Sequence, residues 1–272
     1  MQVLNGLPQH VKVVDLSADF RLRSTDMYAE WYGGEHKAPK LQEEAVYGLT
    51  EHYREAIGGA RLVANPGCYP TSALLPLIPL IKAGVVSKEG LTIDSKSGVS
   101  GAGRSAKEAN LFCEVADGMH AYGVGKHRHM PEIEQELAVA AGSDVTVSFT
   151  PHLIPMSRGM QSTIYVTMSE GKTVADVRKT IADCYKDEYF VRCVSRDSRP
   201  IFLSLCSIIG GIEIELRAKH LWGWLLPVDF VGHVYNWSKG SRAVVRILLV
   251  LEKAERVWKS RPMPSAARPI YG

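Results

Sequence analysis

Apolar and polar positions along this chain fall into short blocks with alternating character. Val11-Lys12-Val13-Val14-Asp15-Leu16 reads as a short buried strand that exits at the polar Ser17-Ala18-Asp19, the kind of strand end where α/β proteins place ligands. Leu62-Val63-Ala64 is a second apolar run, stopped by the turn-forming Asn65-Pro66-Gly67. Ser72 to Lys82 is apolar over a helical length, with Thr71 or Ser72 as N-cap, and Pro76 and Pro79 inside it predict a kink or a later start. Leu91 to Lys96 predicts a strand that runs into Ser97-Gly98-Val99-Ser100-Gly101-Ala102-Gly103-Arg104. Pro131 to Leu137 opens a helix with proline in its first turn and acids near its positive end. Val145 to Phe149 and Ser162 to Met168 alternate as strands of an antiparallel sheet, and Val174 to Tyr185 predicts a helix. The order implies a mixed α+β domain preceded by a fragment of an α/β domain.

Composition narrows the class. The chain has 272 residues, 46% of them hydrophobic and 22% charged, enough for one large domain or two modest ones. A net charge of +3 gives no argument for nucleic acid. The charge is uneven: 12 basic against 6 acidic residues from Val194 onward, and 20 against 23 before it. A mildly acidic body thus carries a basic tail, without the interleaved aromatics of a nucleic-acid stripe. The apolar runs Ile201 to Ile209 and Leu221 to Val228 are too short or too interrupted to span a bilayer. Met1-Gln2-Val3-Leu4 does not open a signal peptide. The 5 cysteines show no zinc spacing and read as reduced thiols.

One of them has chemical potential. Cys68 follows a Pro-Gly turn at the mouth of a helix, where amide N–H groups favour an anion, so its pKa is expected to fall. Such a thiolate attacks acyl carbons, and the same amides can hold the oxyanion. Lys126-His127-Arg128-His129-Met130-Pro131-Glu132 supplies imidazoles for acid/base work, and in an extended segment His127 and His129 share a face. No further His, Cys or acid at a compelling distance completes a metal site, so none is expected. The Ser/Gly loop from Ser97 offers backbone amides to a phosphate. Arg104, Lys107 and Arg158 suit an acidic, phosphorylated substrate.

Several segments together resemble one family: Val14 to Arg21, Trp31-Tyr32-Gly33, Tyr47 to Glu51, Asn65-Pro66-Gly67-Cys68-Tyr69-Pro70-Thr71, Asp94 to Arg104, His127 to Gln135, and Phe149 to Gly159. Their order is similar to that of the N-acetyl-γ-glutamyl-phosphate reductases of arginine biosynthesis, from about Gly6 to about Arg192. The resemblance implies NADPH-dependent reductive dephosphorylation of N-acetyl-γ-glutamyl phosphate to the semialdehyde through a Cys68 thioester. It makes His129 the acid/base group, with His127 next. Ser97, Gly98, Ser100, Gly101 and Ser17 would meet the cofactor, and Arg104, Lys107, Arg158 and Asn65 the substrate. It implies a Rossmann NADP-binding remnant over 1–64, a catalytic and oligomerisation domain like that of glyceraldehyde-3-phosphate dehydrogenase over 65–193, and an unassigned, divergent and loosely packed tail over 194–272. No glycine-rich dinucleotide turn lies upstream of Val11, so weak or absent NADPH binding is expected. A truncated, inactive family member is the first alternative; an aspartate-semialdehyde dehydrogenase-like enzyme and a cysteine hydrolase are the others. Expected partners are the small-molecule acyl phosphate and further copies of the chain, with no nucleic acid and no membrane. The compartment would be the plastid stroma in a plant and the cytoplasm otherwise.

Overall fold

Two sheets organise the chain, and the thiol sits where one hands over to the other. The computed structural model describes residues 4, 6–103, 105, 107–156, 159–194, 211–218, 228–236 and 242–251. The first layer holds β1 (Val13–Asp15), α1 (Thr25–Tyr32), α2 (Pro39–Glu44), β2 (Val46–Tyr47), α3 (Thr50–Gly59) and β3 (Leu62–Ala64). Its strands lie in the order β1-β3-β2 and are parallel throughout, as expected for a piece of an α/β layer. A small core of Phe20, Ala38, Leu62 and Ala64 fills it. The amide of Asn65 donates to the Asp15 carbonyl at 2.8 Å, which aligns the carboxyl ends of β1 and β3.

From β3 the chain turns into α4 (Cys68–Lys82), then β4 (Leu91–Gly98), α5 (Phe112–Val115), β5 (His120–Ala121), α6 (His129–Ala141), β6 (Val147–Ile154), β7 (Met160–Thr167), α7 (Val174–Tyr185), β8 (Arg192–Val194), β9 (Gly211–Ala218), β10 (Val228–Asn236) and β11 (Arg242–Leu251). These strands form a mixed sheet in the order β5-β6-β4-β7-β11-β10-β9-β8. Leu91, Ile93, Ser95 and Ser97 of β4 and Val147, Phe149 and Leu153 of β6 are buried, the period of 2 that puts alternate side chains on one face. Residues of α4, α6 and α7 share a single hydrophobic core with that face.

The sequence gives each strand a face but not every neighbour. Val147–Ile154 and Met160–Thr167 do not pair with each other: β4 lies between them, parallel to β6 and antiparallel to β7. Strand alternation reports burial, and burial is the same whichever strand is next. The tail, set apart above, places β9, β10 and β11 in this sheet, with β11 antiparallel to β7. The apolar run Ile201 to Ile209 lies outside the described residues, as does Leu221 to Val228 up to its last residue, which opens β10.

Helix α4 starts at Cys68, not after Thr71, with Gly67 as an extended N-cap and no side-chain cap. Pro70 costs little so early, because first-turn amides have no intrahelical acceptor. Pro76 and Pro79 leave the helix continuous to Lys82, but Pro79 has no N–H for the Leu75 carbonyl four residues earlier. The buried Tyr185 hydroxyl of α7 donates to that carbonyl instead, and it accepts from His52 Nε2 at 2.7 Å. Burial holds His52 neutral, with its pKa lowered to about 4. Replacing Tyr185 with Phe should therefore lower stability by about 1–3 kcal/mol, read as a reduced denaturant midpoint at unchanged slope.

Candidate active site

Cys68 occupies the first helical position of α4, directly after the carboxyl end of β3. Its neighbours come from four places in the chain. The Gly67 amide donates to Glu132 Oε1 at 2.8 Å, and the Tyr47 hydroxyl donates to the same oxygen at 2.8 Å. Arg21 Nη1 stands 3.7 Å from Glu132 Oε2. Arg21 is held in turn by the carbonyls of Asn65, at 2.8 Å from Nε, and Leu16, at 3.1 Å from Nη2. Glu132 is completely buried and Arg21 nearly so, so a charged frame stands under the Cys68 turn.

His129 reaches this frame and His127 packs against His129, by a different route from the one expected. His129 opens α6 and His127 lies just before it, so helix initiation, not strand alternation, brings their rings together at 4.8 Å between centroids. Tyr69 packs edge-on against both, at 5.5 Å from His127 and 5.8 Å from His129. A Cβ on Gly67 would lie 2.5 Å from His129 Nε2 and 3.0 Å from Arg21 Nη1, so only glycine lets the ring approach this turn.

The hydrogen bonds distinguish the tautomers of the two rings. The His129 amide donates to His127 Nδ1 at 3.2 Å, which leaves the proton of neutral His127 on Nε2. Arg21 Nη1, only ever a donor, faces His129 Nε2 at 3.5 Å, so that nitrogen carries the lone pair, turned towards Arg21, and Nδ1 the proton. Burial is the main cause of the lowered pKa at both: His127 falls to about 4, with Arg128 adding to the fall, and His129 falls well below its ordinary value, with His127, Arg21 and Arg128 adding.

The expectation of a depressed thiol pKa is not met. Cys68 keeps an exposed surface, yet desolvation by the groups around its sulfur pushes the thiol up to about 11. The amides of Tyr69 and Cys68 pull it down, as a helix start should, and so does Arg21, while Glu132 pushes up. The amide effect is present and outweighed. At rest the thiol is protonated and both rings are neutral.

The other sequence-predicted residues divide. Asn65 belongs to the frame, with Nδ2 on the Pro66 carbonyl at 3.0 Å. Ser17 lies exposed at the exit of β1, its Oγ donating to Asp15 Oδ2 at 2.7 Å and accepting from the Asp19 amide at 3.1 Å. Ser97 is buried and donates to the Gly98 carbonyl at 3.0 Å. The loop from Gly98 is less free than a phosphate cradle requires: the amides of Gly98, Val99 and Gly103 are bound to the carbonyls of Gly159, Met156 and Ser100. Gly101 folds so tightly on Ser97 Oγ that a Cβ would sit 2.4 Å from it, and Ser100 lies in the same turn, Val99–Ala102. Lys107 is exposed before the turn Glu108–Asn110. Arg104 and Arg158 lie outside the described residues. Among the described residues no cluster of His, Cys, Asp and Glu could hold a metal.

Comparison with known proteins places this arrangement. Residues 68–206 match the family model "Semialdehyde dehydrogenase, dimerisation domain". The N-acetyl-gamma-glutamyl-phosphate reductase of Afipia carboxidovorans is 61% identical over 270 residues, covering 97% of this chain and 74% of that protein. The chain belongs to the N-acetyl-γ-glutamyl-phosphate reductase family. A rice protein named "Probable N-acetyl-gamma-glutamyl-phosphate reductase, chloroplastic" is 60% identical over 199 residues, which is 73% of this chain and 48% of the rice protein. The chain thus spans about half the length of the rice reductase and about three quarters of the Afipia one. The match to the Afipia reductase also carries the similarity past Arg192, where the sequence motifs alone had placed its end. Aspartate semialdehyde dehydrogenase II of Vibrio cholerae, at 15% identity, has a TM-score of 0.54 over 87% of this chain and 66% of its own. At that identity it shows a shared semialdehyde dehydrogenase fold, and the sequence relatives of the reductase family lie far nearer. No helix among the described residues is long and apolar enough to cross a membrane.

Proposed function

We propose that this chain carries out the acyl-transfer chemistry of N-acetyl-γ-glutamyl phosphate reduction, with Cys68 as nucleophile, His129 as base and His127 as acid. The observation that carries the reading is that Gly67, the residue before Cys68, meets both His129 and the Arg21–Glu132 frame. The Cys68 sulfur attacks the γ-acyl carbon while its proton passes to the lone pair on His129 Nε2. The carbon–oxygen bond to phosphate then breaks, inorganic phosphate leaves and a thioester remains. The Cys68 and Tyr69 amides stabilise the negative oxygen formed on the way, and Nε2–H of His127 is the donor for a departing or carbonyl oxygen. Because the thiol is protonated at rest, proton transfer and attack are coupled. Asn65 and Lys107, with Arg104 and Arg158, would hold the substrate's acidic groups.

NADPH, when bound, supplies a hydride for the thioester carbon. Ser17 and the Ser97, Gly98, Ser100 and Gly101 loop would meet its nicotinamide end. Self-association would use the domain over 68–206, whose family model is named for dimerisation. In a plant cell the chain would work in the plastid stroma, and elsewhere in the cytoplasm.

The test needs no cofactor. Mixed with the acyl phosphate alone, the chain should release stoichiometric phosphate in a burst and stop, and Cys68→Ser should release none. Equal release by the variant would overturn the reading, and continued turnover without cofactor would favour a hydrolase.

A further inference from the structure

Three buried hydroxyls tie the Cys68-bearing helix to the middle of the sheet. Ser95 on β4 and Ser162 on β7 are register partners, and their Oγ atoms lie 2.6 Å apart. Ser162 Oγ is 2.7 Å from Ser72 Oγ on α4, and Ser72 Oγ donates to the Tyr69 carbonyl at 2.8 Å. All three serines are fully buried, among apolar side chains such as Ala73, Ile93 and Ile164. The sole Ser72 proton is committed to Tyr69, so Ser72 Oγ accepts from Ser162, and Ser162 accepts from Ser95. The direction is therefore fixed from β4 through β7 to the first turn of α4, and it ends on the residue after Cys68.

Packing alone gives no reason for this chain. Alanine would fill the same layer without the cost of about 1–3 kcal/mol that a buried hydroxyl carries when a partner fails. Apolar contact also lets a helix slide on a sheet, whereas an oriented hydrogen-bond chain admits one register. We propose that Ser95, Ser162 and Ser72 are positioning residues for Cys68, fixing the first turn of α4 so that its amides face the sulfur. The inference rests on Cys68 being the nucleophile.

The decisive comparison is the triple variant Ser72→Ala, Ser95→Ala, Ser162→Ala in the full chain, which removes every hydroxyl and leaves none unpaired. Its unfolding midpoint should stay near the parent's. With the first turn loosened, Cys68 should be alkylated by iodoacetamide about tenfold more slowly at pH 9, read by mass on its peptide. Parental alkylation in a variant of parental stability overturns the proposal. If the triple variant does not fold, Ser95→Thr and Ser95→Ala decide: threonine keeps the donor and should keep the parental rate, alanine should not, and equal rates overturn the proposal. The nucleophile reading fails separately, if Cys68→Ser releases phosphate from the acyl phosphate as the parent does.

Discussion

Iodoacetamide should modify Cys68 about a thousand times faster at pH 10 than at pH 7. The thiolate is the reacting form, and below the thiol pKa its fraction rises tenfold per pH unit. With that pKa pushed up to about 11 by desolvation, the whole interval lies on the rising limb. The helix start favours the anion through two amides and Arg21 favours it too, but burial and Glu132 oppose them. Neither imidazole should add a step between pH 5 and pH 8, since His127 falls to about 4 and His129 falls well below its ordinary value. The experiment follows the mass of the Cys68 peptide at a series of pH values. A rate that has levelled off by pH 8 would mean a thiolate already formed at rest. Coupled proton transfer to His129 would then be unnecessary.

The nucleophile was legible in the sequence because its signal is local. A strand exit, a turn-forming triplet and a helix start coincide over Asn65 to Thr71, and the structure keeps the strand exit and the helix start, with Gly67 extended between them. The sign of its pKa shift was not legible, because desolvation comes from residues scattered over the chain. His127 and His129 were found as a pair for the wrong geometric reason: a helix start can also bring residues two apart together when one lies before the cap. Arg21, Tyr47 and Glu132 escaped notice. In the sequence Arg21 and Tyr47 stand only as members of resembling segments, and Glu132 reads as an acid favoured by a helix dipole. A sharper signal was present, since Glu132 and Glu136 lie four apart on the stripe with Ile133 and Leu137, and all four are fully buried. Carboxylates on a core-facing stripe require partners from elsewhere. Strand order was out of reach, because the insertion of β4 between β6 and β7 leaves the alternation of each unchanged.

Glu132→Ala should destabilise the chain by about 3–5 kcal/mol, the usual result of breaking a buried ion pair from one side. It strips the acceptor from the Gly67 amide and the Tyr47 hydroxyl together and leaves the Arg21 charge with two carbonyls and the neutral His129 ring. Glu132→Gln keeps an oxygen for both donors and removes only the charge, so it should lose less. The pH dependence separates the two effects. Burial raises the Glu132 pKa, against the pull of Arg21, the Gly67 amide and Tyr47. A carboxyl that binds its proton more tightly folded than unfolded takes up a proton on folding. Its contribution is therefore greatest below the unfolded value and declines as pH rises towards the folded one. Glu132→Gln cannot titrate, so its deficit relative to the parent should shrink between pH 4 and pH 7. Denaturant unfolding at several pH values measures this, and a deficit that grows with pH would show that the Arg21 pair governs the carboxylate after all.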